Sequence, residues 1–270
     1  MSSLAVAQFA PGDDTADNLA EIRRLAAIAV ARGASLVVFP EYSSFFEADL
    51  GEASLAAAEP LDGAFVTALG ELAAELDAHL VVGVLETADA THLRNTLVAL
   101  SPAGRLVARY RKLHLYDAFG QRESDRVRAG ELETPQTFDW EGFTVGLQTC
   151  YDIRFPEVTR RLVDAGADLV LVPAEWVRGP LKEHHWRTLV TARAIENTVY
   201  VAAADHAPPI GVGNSMIVDP MGVELATIGE EAGVVAVAQL SRERLAEVRG
   251  RNPALAVRRF GVVPLEPVPL

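Results

Sequence analysis

The sequence predicts an α/β fold, one layered domain in which helices cover a sheet or two packed sheets, and three features carry that prediction. Strand-like and helix-like segments interleave along the whole chain. The runs at 36–39, 80–85 and 169–172 are apolar on both faces, as strands buried inside a sheet are. No linker, low-complexity tract or repeat of fixed period divides the 270 residues.

Small and large apolar residues alternate from 4 to 9 as a first strand. Pro11-Gly12-Asp13-Asp14 then turns the chain and supplies a helix N-cap. Leu19, Ile22, Ala26, Ala29 and Val30 recur at three- and four-residue steps, which predicts a helix over 15–32 closed by Gly33. The strand at 36–39 stops at Pro40-Glu41. A second amphipathic helix follows around Phe65, Leu69, Leu72 and Leu76, then the strand at 80–85. Residues 95–100 and 105–110 flank Ser101-Pro102-Ala103-Gly104 and read as a hairpin, directly followed by Lys112. From 113 to 130 the pattern loses its period, which predicts a long functional loop. Phe143, Val145 and Leu147 form a strand that ends near Cys150, and Pro156 opens a helix reaching 165. The strand 169–172 runs into Pro173-Ala174-Glu175-Trp176, followed by a helix at 181–197 and a strand at 199–204. Strands at 213–219 and 223–228 meet at Pro220-Met221-Gly222, and a strand at 234–240 leads to a short helix at 241–250.

Composition bounds the function. Half of the residues are hydrophobic and 23% charged, an ordinary globular balance. No apolar run approaches the ~18 residues that span a bilayer, and residues 1–3 enter a strand without a basic region, so a cytoplasmic location is expected. The formal net charge of −13 disfavours nucleic acid and anionic membrane partners. One cysteine allows no internal disulfide and no thiolate metal cluster; neither metal nor cofactor is expected.

That cysteine, Cys150, has two readings: a buried core filler, or a nucleophile. Its place between a strand end and the helix opened by Pro156 favours the thiolate relative to a free cysteine of pKa about 8.5. Its base would be a carboxylate or a histidine, with His114, His184 and His185 the histidines placed for a site. A metal site on His184 and His185 is disfavoured, because adjacent helical positions point in different directions. Glu41, Cys150 and Glu175 all lie just after strands, where ligands gather in open α/β sheets.

FPEYS around Glu41, YRKLHLYD around Lys112 and LQTCYDIRFPE around Cys150 resemble, in order and spacing, the three signatures of the nitrilase superfamily of carbon–nitrogen hydrolases. Family-like pieces at RESDRVRAG, LVPAEW, TARAIENTVYVAAA and GNSMIVDPMG extend the resemblance over essentially the whole chain. It implies a four-layer αββα sandwich spanning 1–270, with subunits that associate as dimers or higher homo-oligomers; the proline-spotted tail at 253–270, which has no clear period, reads as an extension toward a partner subunit. It also implies roles: Cys150 as nucleophile, Glu41 as general base, Lys112 as oxyanion donor helped by the Tyr151 backbone N–H, and Glu123 as the glutamate that holds the lysine. Arg154, Glu175 and Trp176 fall at the substrate. For Arg154, pairing with Asp152 or Glu157 is the plainer expectation and a substrate carboxylate the alternative. Trp176 either walls the pocket or fills the core. Arg178 and Lys182 read as an exposed helix start, with anion binding as the alternative.

True nitrilases usually carry Trp-Glu after the cysteine, whereas this chain has Tyr151-Asp152, which resembles the amidase branch containing omega-amidases and deaminated-glutathione amidases. LYDAFGQRES departs from the longer omega-amidase loop. The expected substrate is a small amide carrying a carboxylate; N-carbamoyl amino acids and nitriles are the other substrate classes, and a binding or scaffold module the non-enzymatic reading.

Overall fold

The computed structural model describes residues 2–265. Strand β1 (Ser2–Gln8) leads to helix α1 (Thr15–Ala31), β2 (Leu36–Val38), α2 (Glu52–Ala57), α3 (Ala64–Leu76), β3 (His79–Thr87), β4 (Leu93–Leu100) and β5 (Leu106–Arg111). After a 3₁₀ turn at Glu123–Asp125 come β6 (Thr137–Trp140), β7 (Phe143–Leu147), a 3₁₀ turn at Cys150–Arg154, α4 (Pro156–Asp164), β8 (Leu169–Ala174) and α5 (Lys182–Asn197). The remaining elements are β9 (Tyr200–Asp205), β10 (Met216–Val218), β11 (Glu224–Thr227), β12 (Val234–Leu240) and α6 (Arg242–Arg251).

Two six-stranded mixed sheets result, ordered β12-β1-β2-β3-β4-β5 and β11-β10-β9-β8-β7-β6. Each is parallel at its centre, through β1-β2-β3 in one and β7-β8-β9 in the other. The period-2 alternation of a strand decides the layers. Leu4, Val6, Leu36, Val38, Leu169 and Leu171 meet between the sheets, around Trp140, Phe143 and Tyr200. Their neighbours face outward: Ala5, Ala7 and Val37 pack on α1 and α3 through Ile22, Leu25, Leu69 and Leu72. Val170 and Val172 pack with Trp186, Val190 and Leu162 of α5 and α4. The outcome is the helix, sheet, sheet, helix sandwich expected from the sequence. Burying each such Leu or Val side chain contributes roughly 1.5–3 kcal/mol, so the double-faced apolar strands are the main source of cohesion.

Local signals act as anticipated. Asp14 caps α1 by accepting from the N–H groups of Ala16 and Asp17 at 2.8 and 3.0 Å, an interaction worth about 1 kcal/mol. β4 and β5 form the hairpin, and β10 and β11 are shorter than their apolar stretches. Both α2 and the edge strand β6 go beyond the sequence expectation.

Four chain segments leave the sheets on one side: β2 runs into Glu41, β7 into Cys150, β8 into Glu175 and β9 into His206. β5, directed like β3 and β2 through two antiparallel pairings, delivers Lys112 to that same side. The site thus lies at the seam between the two sheets. The described part of the tail, 253–265, is mostly exposed, with Arg258 paired to Asp164 at its start; residues 266–270 lie outside the described residues.

Candidate active site

Glu41 is fixed by backbone before side chains matter. Phe39 N–H donates to Val81 O at 2.8 Å and Gly83 N–H to Pro40 O at 3.2 Å, while Tyr42 turns the chain with φ +53°. Gly83 is required there, since a Cβ on it would lie 2.6 Å from Glu41 Cα. The buried Glu41 carboxylate accepts from Lys112 Nζ at 2.9 Å and Asn95 Nδ2 at 2.6 Å on one oxygen, and from Glu175 N–H at 2.6 Å on the other.

Lys112 also meets Glu123, at 2.9 Å from Oε2 and 3.1 Å from Oε1. Glu123 takes further bonds from Tyr42 O–H (2.6 Å), Asn95 Nδ2 (3.1 Å) and Tyr116 N–H (2.6 Å). The two glutamates consequently differ. Burial pushes the Glu41 carboxyl up, and the Glu123 charge adds to it against the pull of Lys112. Burial acts on Glu123 too, but Lys112 and its hydrogen bonds overcome it and hold that carboxyl below its ordinary value. Burial would strip the Lys112 proton, yet Glu123 and Glu41 keep the ammonium firmly charged. One carboxylate is a fixed counter-ion and the other is basic, a division that suits proton transfer at Glu41.

Cys150 sits at φ +44°, a conformation costly for a residue with a side chain and typical of strained functional positions. Its Sγ–H points to Glu175 O at 3.4 Å. The turn is held from two sides: Arg193 of α5 donates Nε and Nη2 to Ile153 O at 2.9 and 2.6 Å. Buried Asp152 accepts from Tyr110 O–H at 2.7 Å and His114 N–H at 2.9 Å. Tyr110 and His114 bracket Lys112, so Asp152 ties the cysteine turn to the lysine segment. α4 starts at Pro156, as expected, but the expectation of a favoured thiolate is corrected: a 3₁₀ turn separates Cys150 from that helix, and burial together with the Glu41 charge pushes the thiol well up rather than down. Its resting form is the neutral thiol, with Lys112 acting in the opposite direction.

A cavity of about 560 Å³ opens over these groups, lined among others by Glu41, Lys112, Glu123, Cys150, Tyr151, Arg154, Glu175, Trp176 and Lys182. No histidine lines it: His114 bonds Asp152, and His206 lies behind Glu41. Arg154 does not pair with Asp152 or Glu157. Asp152 is taken by Tyr110 and His114, and the guanidinium lies 4.7 Å over the Trp176 ring with Nε and Nη2 buried and unpartnered. Trp176 does both things considered for it, walling the cavity while its Nε1–H donates to Lys182 O at 2.9 Å. Lys182 is buried instead of exposed, donating Nζ to Tyr116 O–H at 2.8 Å. Arg178 is outside the lining and pairs with Glu230 at 2.7 Å. Among the described residues no group of three or more His, Cys, Asp or Glu is arranged to hold a metal ion, and no helix is long and apolar enough to cross a membrane.

Residues 3–250 match the carbon-nitrogen hydrolase family. The chain belongs to that family. It is 41% identical over 260 residues to the deaminated glutathione amidase of Escherichia coli O157:H7, covering 95% of this chain and 97% of that protein. It is 32% identical over 276 residues to the omega-amidase NIT2 of Homo sapiens, covering 97% of each. Among solved structures, a mutant of the Nesterenkonia sp. AN1 amidase superposes with a TM-score of 0.78 at 27% identity, over 95% of this chain and all of that one; acrylamide has added to its active-site cysteine. This carbon-nitrogen hydrolase therefore acts on amide C–N bonds. Of the residues singled out in the sequence, its cavity gathers Glu41, Lys112, Glu123, Cys150, Tyr151, Arg154, Glu175, Trp176 and Lys182, but not Arg178, nor the candidate histidines His114, His184 and His185. Asn95, Tyr42 and Tyr116 were not singled out: Tyr42 and Tyr116 lie inside the quoted FPEYS and YRKLHLYD motifs, whereas Asn95, in an apolar strand, carried only its polarity as a signal.

Proposed function

We propose that the chain hydrolyses the terminal amide of a small carboxylate-bearing substrate through a thioester on Cys150. Glu41 takes the thiol proton as sulfur attacks the amide carbon, and the oxyanion is met by Lys112 and the Tyr151 N–H. Collapse breaks the C–N bond, and the proton held by Glu41 leaves with ammonia. Water, deprotonated by Glu41, then attacks the thioester, releasing the acid and restoring the thiol. Glu123 keeps Lys112 charged and aimed. Trp176 and Glu175 wall the acyl end.

The observation that carries the substrate class is Arg154. A guanidinium with two buried, unpartnered nitrogen atoms in a pocket wall is complementary to a carboxylate, which it binds as a fork. The names of the E. coli and human relatives agree with amides as the target. Ammonia release from 2-oxo acid amides, neutral amides of equal length, N-carbamoyl amino acids and nitriles, beside Cys150→Ala, tests the reading. Release confined to carboxylate-bearing amides and lost in the variant supports it. Equal turnover of neutral amides removes the role of Arg154, and activity surviving in Cys150→Ala removes the nucleophile.

The protein is further proposed to be cytoplasmic and to form a homo-oligomer through its tail. Exposed Val257, Phe260, Val263 and Leu265 support that contact. A chain ending at 252 should then sediment as a smaller species than the full chain.

A further inference from the structure

Most charged groups around the cavity are satisfied by one another. Lys112 is shared by Glu41 and Glu123, Glu47 accepts from Gly51 and Ser54, Arg122 pairs with Asp125, and Arg126 with Glu52. Glu175 stands apart together with Arg154. Its backbone is engaged on both sides, N–H to Glu41 and carbonyl to the Cys150 thiol, which pins the residue beside the nucleophile. Its side chain lines the cavity, yet Oε1 is closed to solvent and has no hydrogen-bond partner. No Lys, Arg or His lies within ion-pairing distance of it among the described residues.

The residue is half-buried, and its inner oxygen Oε1 would carry carboxylate charge without a donor and near two other carboxylates. Burial foremost, then the Glu41 and Glu123 charges, raise its carboxyl well above the ordinary value, against Lys112 and Lys182. The other titratable groups that feel its charge are Cys150, Asp205 and Tyr116, while Arg154 and Lys182 supply the cations of that wall. A neutral carboxyl keeps one O–H, and among the described residues Oε1 meets no hydrogen-bond partner. The acceptor must come from whatever fills the cavity.

We infer that Glu175 is a specificity-determining residue that donates a hydrogen bond to a second oxygen on the acyl chain of the substrate. That oxygen is a carbonyl or hydroxyl, set apart from the carboxylate held by Arg154. A 2-oxo or 2-hydroxy acid amide supplies both groups. The corresponding 2-amino acid amide brings an ammonium to a donor and to a wall that already holds Arg154 and Lys182, so it is turned away. This rests on the amidase reading of the pocket and goes beyond it by assigning the second polar contact.

The test is steady-state ammonia release from a 2-oxo acid amide and its 2-amino counterpart by the wild type, Glu175→Gln and Glu175→Ala, across pH, with thermal unfolding of each protein as a folding control. Gln keeps an N–H donor in the same place, so its KM for the 2-oxo amide should stay within about threefold of wild type, while Ala raises it about tenfold. In the wild type KM should rise on the alkaline side as Glu175 ionises, and in Glu175→Gln that rise should be absent. Gln as damaging as Ala, an alkaline rise unchanged in Glu175→Gln, or equal wild-type kcat/KM for the two amides would each overturn the inference. Should Glu175→Ala fail to fold, the Gln variant and the pH profile still decide. Failure of the amidase reading itself looks different: no release from any amide by the wild type, or release that survives in Cys150→Ala.

Discussion

His206 Nε2 lies 2.6 Å from the carbonyl oxygen of Glu41, 165 residues away in the chain. A carbonyl can only accept, so Nε2 carries the hydrogen. Burial lowers the imidazole pKa to about 4, which keeps the ring neutral. An unfolded chain would protonate the same ring near 6.5. The stability His206 contributes is therefore complete above 6.5 and is lost as pH falls from there through about 4, by on the order of 3 kcal/mol. Urea unfolding between pH 4 and 7 should show that slope in the wild type and a shallower one in His206→Asn.

Gly83 is the one residue that lets β3 pass the backbone of Glu41. Gly83→Ala places a methyl 2.6 Å from Glu41 Cα and 2.7 Å from both Pro40 O and Tyr42 N, all backbone that cannot rotate away. We expect a loss of about 1–3 kcal/mol in denaturant unfolding, with kcat falling more than KM changes because the carboxylate is displaced.

Lys112 is enclosed by two carboxylates and is almost wholly buried. Replacing it with Met leaves Glu41 and Glu123 without their cation, which should cost about 3–5 kcal/mol in a urea titration. Loss of the proposed oxyanion donor should lower kcat by about 10²-fold to 10³-fold in the folded fraction. A variant that keeps wild-type turnover would remove Lys112 from the chemistry.

Among the described residues Arg154 forms no ion pair, so Arg154→Ala should unfold at the wild-type temperature or above it. Its KM for carboxylate-bearing amides should rise about 10-fold to 100-fold, as expected for one lost charge-assisted contact, while neutral amides change little. Paired kinetics and calorimetry separate this from a structural role, which would lower the melting temperature.

Much of this was legible in the sequence where physics is local. Double-faced apolar runs such as 36–39 and 169–172 marked the buried strands, and polar residues directly after them marked the site. What escaped was set by long-range geometry. Asn95 reaches Glu41 across 54 positions and Tyr42 reaches Glu123 across 81, so neither pairing leaves a local trace. Arg154 was expected to pair with its neighbours, but the 3₁₀ turn aims Asp152 at Tyr110 and His114. Lys182 opens a helix, a position that reads as exposed, and Leu181 at φ +60° turns it inward instead. The edge strand β6, of four residues, and α2, of six, were too short to display a period.

The strand order has one further effect, on synthesis. β1 pairs along its whole length with β12, Ser2 opposite Leu240, so its outer edge waits for a segment made more than 200 residues later. At ~5–20 residues per second, that delay is roughly 12–50 s on the ribosome. Until then β1 offers a bare edge to neighbouring nascent chains, and the seam that carries the nucleophile is clasped on one side only. Newly made protein acquires its chemistry late, and cellular yield depends on how well that first strand is shielded during the wait.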